Sequence, residues 1–457
     1  MEKRMEALIV SVSGLRGIVG PSLTPGVAMR YVGAFAEQLP PGPVVLGRDS
    51  RPSGRMLADA VRAELTARGR PVLDAGIVPT PTVGVLIRSR QTVAGVQITA
   101  SHNPPPYNGI KLFTGEGSVI DGATGEAVKE RFLEEAARDS NPFQTHDRLG
   151  AVEFVADPFA PHLERIVAGV DVEAIRGHHF PVLLDSNHGA GGPHGRRLLE
   201  QLGCRVTVLG EAPSGAFRHV PEPTAENLAE VGRDVVESRS VVGFCQDPDA
   251  DRLALIDETG RYIGEELTLA LCLDRILPSR RGPIVTNCAT SRMARDLADK
   301  YGVACHLSAV GEANVVQRMR EVDAVFGGEG NGGPIDPQVG WVRDSFAGMA
   351  MVLDAMASSG LSLSQLAARL PRYAIVKSKF SYSTDRLDAA FDTLERAYPD
   401  ASASRLDGLR LDWPDRRWAL LRASNTEPIV RVICEATTEA AARTLAREIE
   451  DRVRQVC

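Results

Sequence analysis

The 457-residue chain has no Cys-x-x-Cys pair, no excess of basic residues, no long apolar run and no short-period repeat. Its seven cysteines stand singly at 204, 245, 272, 288, 305, 434 and 457, which suggests neither a zinc site nor a disulfide framework. Free buried thiols in a reducing, cytoplasmic compartment account for them. The formal net charge of -7 argues against a nucleic-acid partner, which would call for a basic domain or patch. An anionic small substrate is still allowed if its basic contacts are gathered locally. No stretch is apolar and long enough to span a bilayer, so no membrane partner is expected. The opening residues Glu2, Lys3, Arg4 and Glu6, followed by only Ala7 to Val10, do not read as a secretory signal. Length alone suggests about three or four domains.

What is present is an alternation of strands, loops and helices. Leu8 to Val10 leads into Ser13 to Gly20, where glycines on both sides of Arg16 suggest a flexible, close-approach loop. Thr24 reads as a helix cap with Pro25 in the first turn. Pro43 to Leu46 reads as a strand, followed by the polar loop Gly47 to Gly54. Leu57, Val61 and Leu65 share one helix face, and Gly69 stops that helix. Pro71 to Gly76 and Gly95 to Ile98 are further strands, and Tyr107 to Phe113 is a turn into another. The pattern lapses between Arg138 and Gly150, which reads as a domain boundary. A second α/β unit runs from the strand Phe180 to Asp185, through the helix Arg196 to Leu202 and the strand Arg205 to Leu209, to the strand Val241 to Phe244. Thr224 is expected to cap a helix within it. A third unit has strands at Arg261 to Ile263, Pro283 to Thr286 and Ala304 to Leu307, with a helix over Leu267 to Leu277. From about Pro371 several strands follow in succession. One late helix has Ala442, Leu445, Ile449 and Val453 on a shared face. The expected domains are 1–150, 151–256, 257–368 and 369–457: three similar α/β domains and a C-terminal α+β domain.

Four stretches carry chemistry. In Thr99-Ala100-Ser101-His102-Asn103-Pro104 a serine follows a strand, and Pro105 and Pro106 are expected to hold the loop extended. Such a serine suits a nucleophile or a phosphate carrier; the plain alternative is a turn that uses Ser, Asn and Pro for their local geometry. His102 is a possible base, although adjacent side chains in an extended chain point apart. In Asp247-Pro248-Asp249-Ala250-Asp251-Arg252 three alternate carboxylates repel one another unless a cation lies between them. Oxygen-only ligands suit Mg²⁺. A solvated acidic loop is the alternative, and a third reading is the Asp-x-Asp of an aspartyl-nucleophile phosphatase, whose usual following Gly-Thr is absent. The glycine-rich loop Glu329 to Gly333 carries one carboxylate, Glu329, and one amide, Asn331, that could bond sugar hydroxyls; the plain alternative is a turn. Arg422-Ala423-Ser424-Asn425-Thr426-Glu427-Pro428, with Arg431 beyond, offers hydroxyls, an amide and guanidinium forks to a phosphate; the plain alternative is a capped turn between two strands. Lys111 and Arg16 add charge, and Lys111 is also a possible acid or base. Together these describe phosphoryl transfer on a sugar phosphate.

With the four motifs in this order nearly end to end, the chain resembles the α-D-phosphohexomutases: phosphoglucomutase, phosphomannomutase and phosphoglucosamine mutase. The resemblance implies four domains around a central cleft, the last one mobile. It implies that phospho-Ser101 gives its phosphoryl group to a hexose monophosphate, that the 1,6-bisphosphate turns end for end, and that its other phosphate returns to Ser101. Mg²⁺ would be held by Asp247, Asp249, Asp251 and phospho-Ser101, with hexose 1,6-bisphosphate as activator. Glu329, Asn331, Arg252, Arg422, Ser424, Asn425, Thr426 and Arg431 would bind substrate in a monomer or homodimer. In many members the sugar loop reads Glu-x-Ser-Gly-His; here Asn331 and Gly333 replace the serine and the histidine. That leaves Lys111 as the leading proton-transfer candidate. The Gly-Glu-Gly-Asn-Gly-Gly form of this loop favours glucosamine phosphate slightly over mannose or glucose phosphate. An aspartyl-nucleophile phosphatase centred on Asp247 and a non-catalytic sugar-phosphate sensor are the other readings.

Overall fold

The computed structural model describes residues 8–11, 14–134, 142–381, 386–423 and 429–455. By backbone contacts the chain forms two compact units, Met1–Arg275 with Asn331–Ala367, and Ile276–Gly330 with Ala368–Cys457.

The first unit is built on two sheets. The larger has seven strands in the spatial order Ile9–Ser11, Gly14–Ile18, Tyr107–Thr114, Ala94–Ile98, Val44–Arg48, Val72–Ile77, Val152–Phe154. Its last four strands run parallel, so loops that begin at their carboxyl ends converge on one edge. The helices Pro25–Ala36, Gly54–Ala67 and Gly122–Glu134 cover one face around Tyr31, Phe35 and Leu112. The helix Thr80–Arg90 covers the other, around Val83, Ile87 and Phe113. Thr24 caps its helix as expected, accepting from the Val27 N–H, with Pro25 in the first turn. The strand Val152–Phe154 extends this first sheet past residue 150. The second sheet has the order Leu253–Asp257, Val242–Gln246, Pro181–Asp185, Arg205–Leu209. The helix Ser345–Ser359 is buried for most of its length, and Asp344 caps it by accepting from the N–H groups of Phe346 and Ala347. No single described helix is long and apolar enough to cross a membrane.

The second unit joins the parallel strands Cys305–Ser308, Ile284–Asn287 and Phe326–Glu329 to an antiparallel sheet. That sheet runs Ala374–Ser381, Ile429–Ala436, Trp418–Ala423, Leu409–Asp412, Ser402–Ser404. Strand alternation gives the antiparallel sheet two faces. Leu421, Val430 and Val432 face the helices Leu387–Ala397 and Glu439–Gln455, the latter presenting Leu445, Ile449 and Val453. Trp418, Leu420 and Ile433 face Cys288, Ala289 and Val310. Glu435 pins this second contact, accepting from Trp418 Nε1 at 2.6 Å and from the Arg292 N–H at 2.9 Å.

Three local expectations are corrected. Arg16 lies on the strand Gly14–Ile18, not in a loop, because Gly14 (φ 133°) lets the strand lie against Ile110 of its neighbour. Arg261 to Ile263 forms no strand; Tyr262 makes only an isolated bridge with Ile256. Thr224 accepts from the Asn227 N–H in a turn, and the helix beyond begins only at Ala229.

Candidate active site

Ser101 begins the turn that follows the strand Ala94–Ile98. Its φ of 50° puts it in the left-handed region, which is uncommon for a residue with a side chain. The loop is therefore bent at the serine and not extended as Pro105 and Pro106 suggested. What holds it is Arg51, almost fully buried, from the loop after the neighbouring strand. Its guanidinium donates to four carbonyls: Nη2 to Ser101 O at 2.7 Å and Asn103 O at 2.6 Å, Nη1 to Pro104 O at 2.9 Å and Tyr107 O at 3.0 Å. Asp49 holds Arg51 in turn, at 3.1 Å from Nε. The Ser101 N–H donates to Thr99 Oγ1 at 2.8 Å. Arg16 reaches the same loop, donating to Asn103 Oδ1 at 3.0 Å.

Ser101 Oγ donates to Asp247 Oδ2 at 2.9 Å. Asp247, Asp249 and Asp251 follow the strand Val242–Gln246 and are fully buried. Each offers an oxygen within 4.8 Å of the others. Lys111 Nζ donates to Asp249 Oδ2 and Asp251 Oδ2, both at 2.8 Å. Thr80 Oγ1 donates to Asp249 Oδ2 at 2.7 Å, and Arg343 Nη2 to Asp251 Oδ2 at 2.7 Å. Asp247 Oδ1 accepts from the N–H groups of Asp251 and Arg252, each at 3.1 Å. Burial and then the charges of Asp249 and Asp251 push the Asp247 carboxyl well up. Burial pushes Asp251 up as well, but Arg343, Lys111 and Arg252 outweigh it and hold Asp251 below the usual carboxylate range. Asp249 is likewise held low, by Lys111 and Thr80 against burial and Asp251.

Two buried oxygens in this cluster, Asp249 Oδ1 and Asp251 Oδ1, have no hydrogen-bond partner among the described residues. Orphaned carboxylate oxygens in an all-oxygen set are what a hard divalent cation such as Mg²⁺ would satisfy, so the residues fit a metal here. Arg252 Nε is also buried and without such a partner, a donor available to an anion.

His102 Nδ1 lies 3.3 Å from Ser101 Oγ, because the left-handed turn at the serine brings together two side chains that an extended chain would separate. Burial, then the charges of Arg252 and Arg16, lower its pKa to about 2. The imidazole is thus neutral at physiological pH and adds no charge.

In the second unit Glu329 ends the strand Phe326–Glu329, where its Oε1 accepts from Asn287 Nδ2 at 2.7 Å and the Gly311 N–H at 3.1 Å. Asn331 belongs to the first unit. Arg422 and Arg431 stand directly opposite on adjacent antiparallel strands, and Lys379 is opposite Arg431 on the next. Directly opposed residues share a face, so three cations form a row. Arg422 Nε lies 3.2 Å from Asp407 Oδ2. Ser424, Asn425 and Thr426 lie outside the described residues.

The first unit thus brings together Ser101, His102, Arg16, Lys111, Asp247, Asp249, Asp251 and Arg252. Sequence reasoning missed Arg51, Thr80, Arg343 and Lys379. Arg51 had a signal: a polar loop with an Asp-x-Arg at a strand's carboxyl end. The others had none, since each acts from another element.

Models of all four phosphoglucomutase/phosphomannomutase domains match the chain in order: alpha/beta/alpha domain I at 8–139, II at 160–260, III at 265–373, and the C-terminal domain at 388–452. A Methanopyrus kandleri protein named "Probable phosphoglucosamine mutase" is 34% identical over 449 residues, covering 97% of each chain. A Thermococcus kodakarensis protein named phosphoglucomutase/phosphomannomutase is 36% identical, covering 94% of this chain and 95% of its own. The crystal structure of a phosphoglucomutase/phosphomannomutase family protein from Burkholderia thailandensis superposes with a TM-score of 0.83 at 27% identity, covering 100% and 97%. The chain belongs to the phosphoglucomutase/phosphomannomutase family, and so to the α-D-phosphohexomutase superfamily of enzymes.

Proposed function

We propose that the protein interconverts hexose 6-phosphate and hexose 1-phosphate through a phosphoryl group carried on Ser101, with glucosamine phosphate as its sugar. The observation that carries this reading is the 2.9 Å contact of Ser101 Oγ with Asp247, inside a buried cluster of three aspartates. In the first half-reaction a sugar hydroxyl attacks the phosphorus, the bond from phosphorus to Ser101 Oγ breaks, and the bisphosphate forms. The hydroxyl gives up a proton, and the serine oxygen recovers one when it ends as a hydroxyl. After the intermediate turns over, Ser101 Oγ attacks the other phosphorus and the steps reverse.

Asp247, Asp249 and Asp251 would hold Mg²⁺, which supplies charge stabilisation at the transferring phosphoryl oxygens. Arg51 fixes the serine, so the reacting oxygen is positioned before substrate arrives. Arg252, with its unpartnered Nε, would bind the phosphoryl oxygens. Lys111 neutralises two carboxylates and remains the proton-transfer candidate. Glu329 would meet the sugar hydroxyls, and Arg422 with Arg431 the distal phosphate, so that one fixed cradle accepts either end of the sugar. We assign the serine to 1–150, the aspartates to 151–256, Glu329 to 257–368 and the arginine pair to 369–457.

Support for the sugar comes from the Methanopyrus relative's name, while the Thermococcus relative carries the other name. The test is therefore ³¹P NMR of glucosamine, glucose and mannose 6-phosphates with Mg²⁺ and a trace of bisphosphate, beside intact mass. The expected result is a 1-phosphate product and a protein one phosphoryl group heavier, both lost in Ser101→Ala with turnover down at least about 10³-fold. Full turnover in that variant overturns the reading. Free phosphate accumulating without isomerised sugar points instead to the aspartyl-nucleophile reaction.

A further inference from the structure

Gly333 opens the strand Gly333–Ile335 in the first unit. Its φ lies outside the left-handed region, so its backbone does not demand glycine. The space around it does. A Cβ built there would lie 2.3 Å from Arg343 Cδ, 2.7 Å from Cγ and 3.0 Å from Cβ. Three consecutive carbons of the Arg343 stem fill the volume that any side chain at 333 would enter. The stem ends in a guanidinium 2.7 Å from Asp251 Oδ2, the oxygen that Lys111 also holds.

The residues around Arg343 keep that stem in place. Asp344 caps the helix Ser345–Ser359, and Ser345 Oγ donates to Ala250 O at 2.6 Å while accepting from Gln246 Nε2 at 2.8 Å. The start of one helix therefore grips the aspartate loop at two consecutive residues, Ala250 by its carbonyl and Asp251 by its carboxylate.

We propose that Arg343 is a positioning residue for phosphoryl transfer, its stem taking the volume of a residue-333 side chain and its guanidinium fixing and neutralising Asp251. A guanidinium keeps its charge at every working pH. In this chain a side chain at 333 and the Arg343 stem exclude each other, because both would fill the same volume. This rests on the phosphoryl-transfer reading of the same site.

The experiment compares wild type, Arg343→Gln, Arg343→Lys, Gly333→Ala, Arg343→Ala and the Gly333→Ala/Arg343→Ala pair. The readouts are kcat, KM for the hexose phosphate turned over, and Tm with and without Mg²⁺. Arg343→Gln is expected to lower kcat about 10-fold or more with KM within threefold, and Arg343→Lys to recover part of it. Gly333→Ala lowers kcat in the wild-type background, yet adds less than a twofold loss to Arg343→Ala, because the stem it strikes is gone. Mg²⁺ raises Tm more in Arg343→Gln than in wild type, since it replaces a missing cation beside Asp251. Any one of three results overturns the proposal: kcat of Arg343→Gln within twofold of wild type, an equal cost of Gly333→Ala in both backgrounds, or an equal Mg²⁺ effect on Tm. If Arg343→Gln does not fold, Gly333→Ala decides, and a folded variant with wild-type kcat refutes it. A wild type with neither phosphoserine nor mutase turnover fails the functional reading alone, and the Tm comparison still tests Arg343.

Discussion

Two charged clusters in this chain are built on opposite principles. Around Asp247, Asp249 and Asp251 four of the six carboxylate oxygens are claimed by cations and hydroxyls from distant parts of the sequence or by N–H groups of the loop itself, and the other two, Asp249 Oδ1 and Asp251 Oδ1, have no partner among the described residues. Along Lys379, Arg431 and Arg422 three cations share one sheet face; Lys379 and Arg431 are exposed to water, and only Arg422 is buried, beside Asp407. Taking carboxylates fully out of water costs several kcal/mol each unless partners are present at all times. Exposed cations carry no such cost, because water serves until an anion arrives. The first cluster suits a resident ion, and the second suits a phosphate that comes and goes.

That contrast predicts opposite responses to the same kind of change. The largest effect is expected from Asp249→Asn, which leaves Lys111 with one carboxylate and Thr80 with an amide. Urea unfolding should show a loss of about 3–5 kcal/mol, alongside lost turnover. A variant as stable as wild type breaks the comparison. Arg51→Lys comes next. An ammonium cannot reach four carbonyls at once, so stability falls by about 2–3 kcal/mol and kcat falls with it, with KM little changed. In the other cluster, Arg422→Gln should raise KM for the sugar phosphate about 10–100-fold, the worth of one charge-assisted contact. Arg431→Gln should do likewise while leaving stability unchanged or higher by up to about 0.5 kcal/mol, because it relieves a like-charge pair. A clear loss of stability there would show that the row is not held against its own repulsion.

The smallest effect lies outside both clusters and serves as their control. Burial, relieved only in part by a bond to the Ile77 backbone, lowers the pKa of His194 to about 4 from an ordinary 6.5. Above pH 6.5 neither the folded nor the unfolded chain holds this proton. Between 6.5 and about 4 the unfolded chain takes it up and the folded one does not, so stability falls as pH falls. Chemical denaturation across this range should be less steeply pH-dependent in His194→Gln.

What the sequence made legible was whatever sits in consecutive residues. The serine loop, the alternate aspartates and Arg422 each lie at or near one strand end, and each is visible as a local motif. The apolar spacing of Leu57, Val61 and Leu65, and of Leu445, Ile449 and Val453, likewise marked helices that the structure contains. Less legible were supports that cross the fold. Arg343 is 92 residues from Asp251 and Thr80 is 169 from Asp249, and no local pattern records either meeting. The bend at Ser101 was missed for a related reason. Pro105 and Pro106 argue locally for an extended chain, and a buried guanidinium from another loop overrules them. Arg16 was misplaced because flanking glycines suit a loop as well as a strand packed closely on its neighbour.

All four acceptors of Arg51 in the serine loop are main-chain oxygens. A clamp of that kind does not inspect the side chains it holds. Residues 102 and 104 to 106 can therefore change over evolutionary time without losing that clamp, whereas Asn103, whose side chain accepts from Arg16, is held by its identity as well. The loop's rim is free to be retuned for a different sugar while its reacting atom remains at the same coordinates, so new specificity here need not begin by disturbing old chemistry.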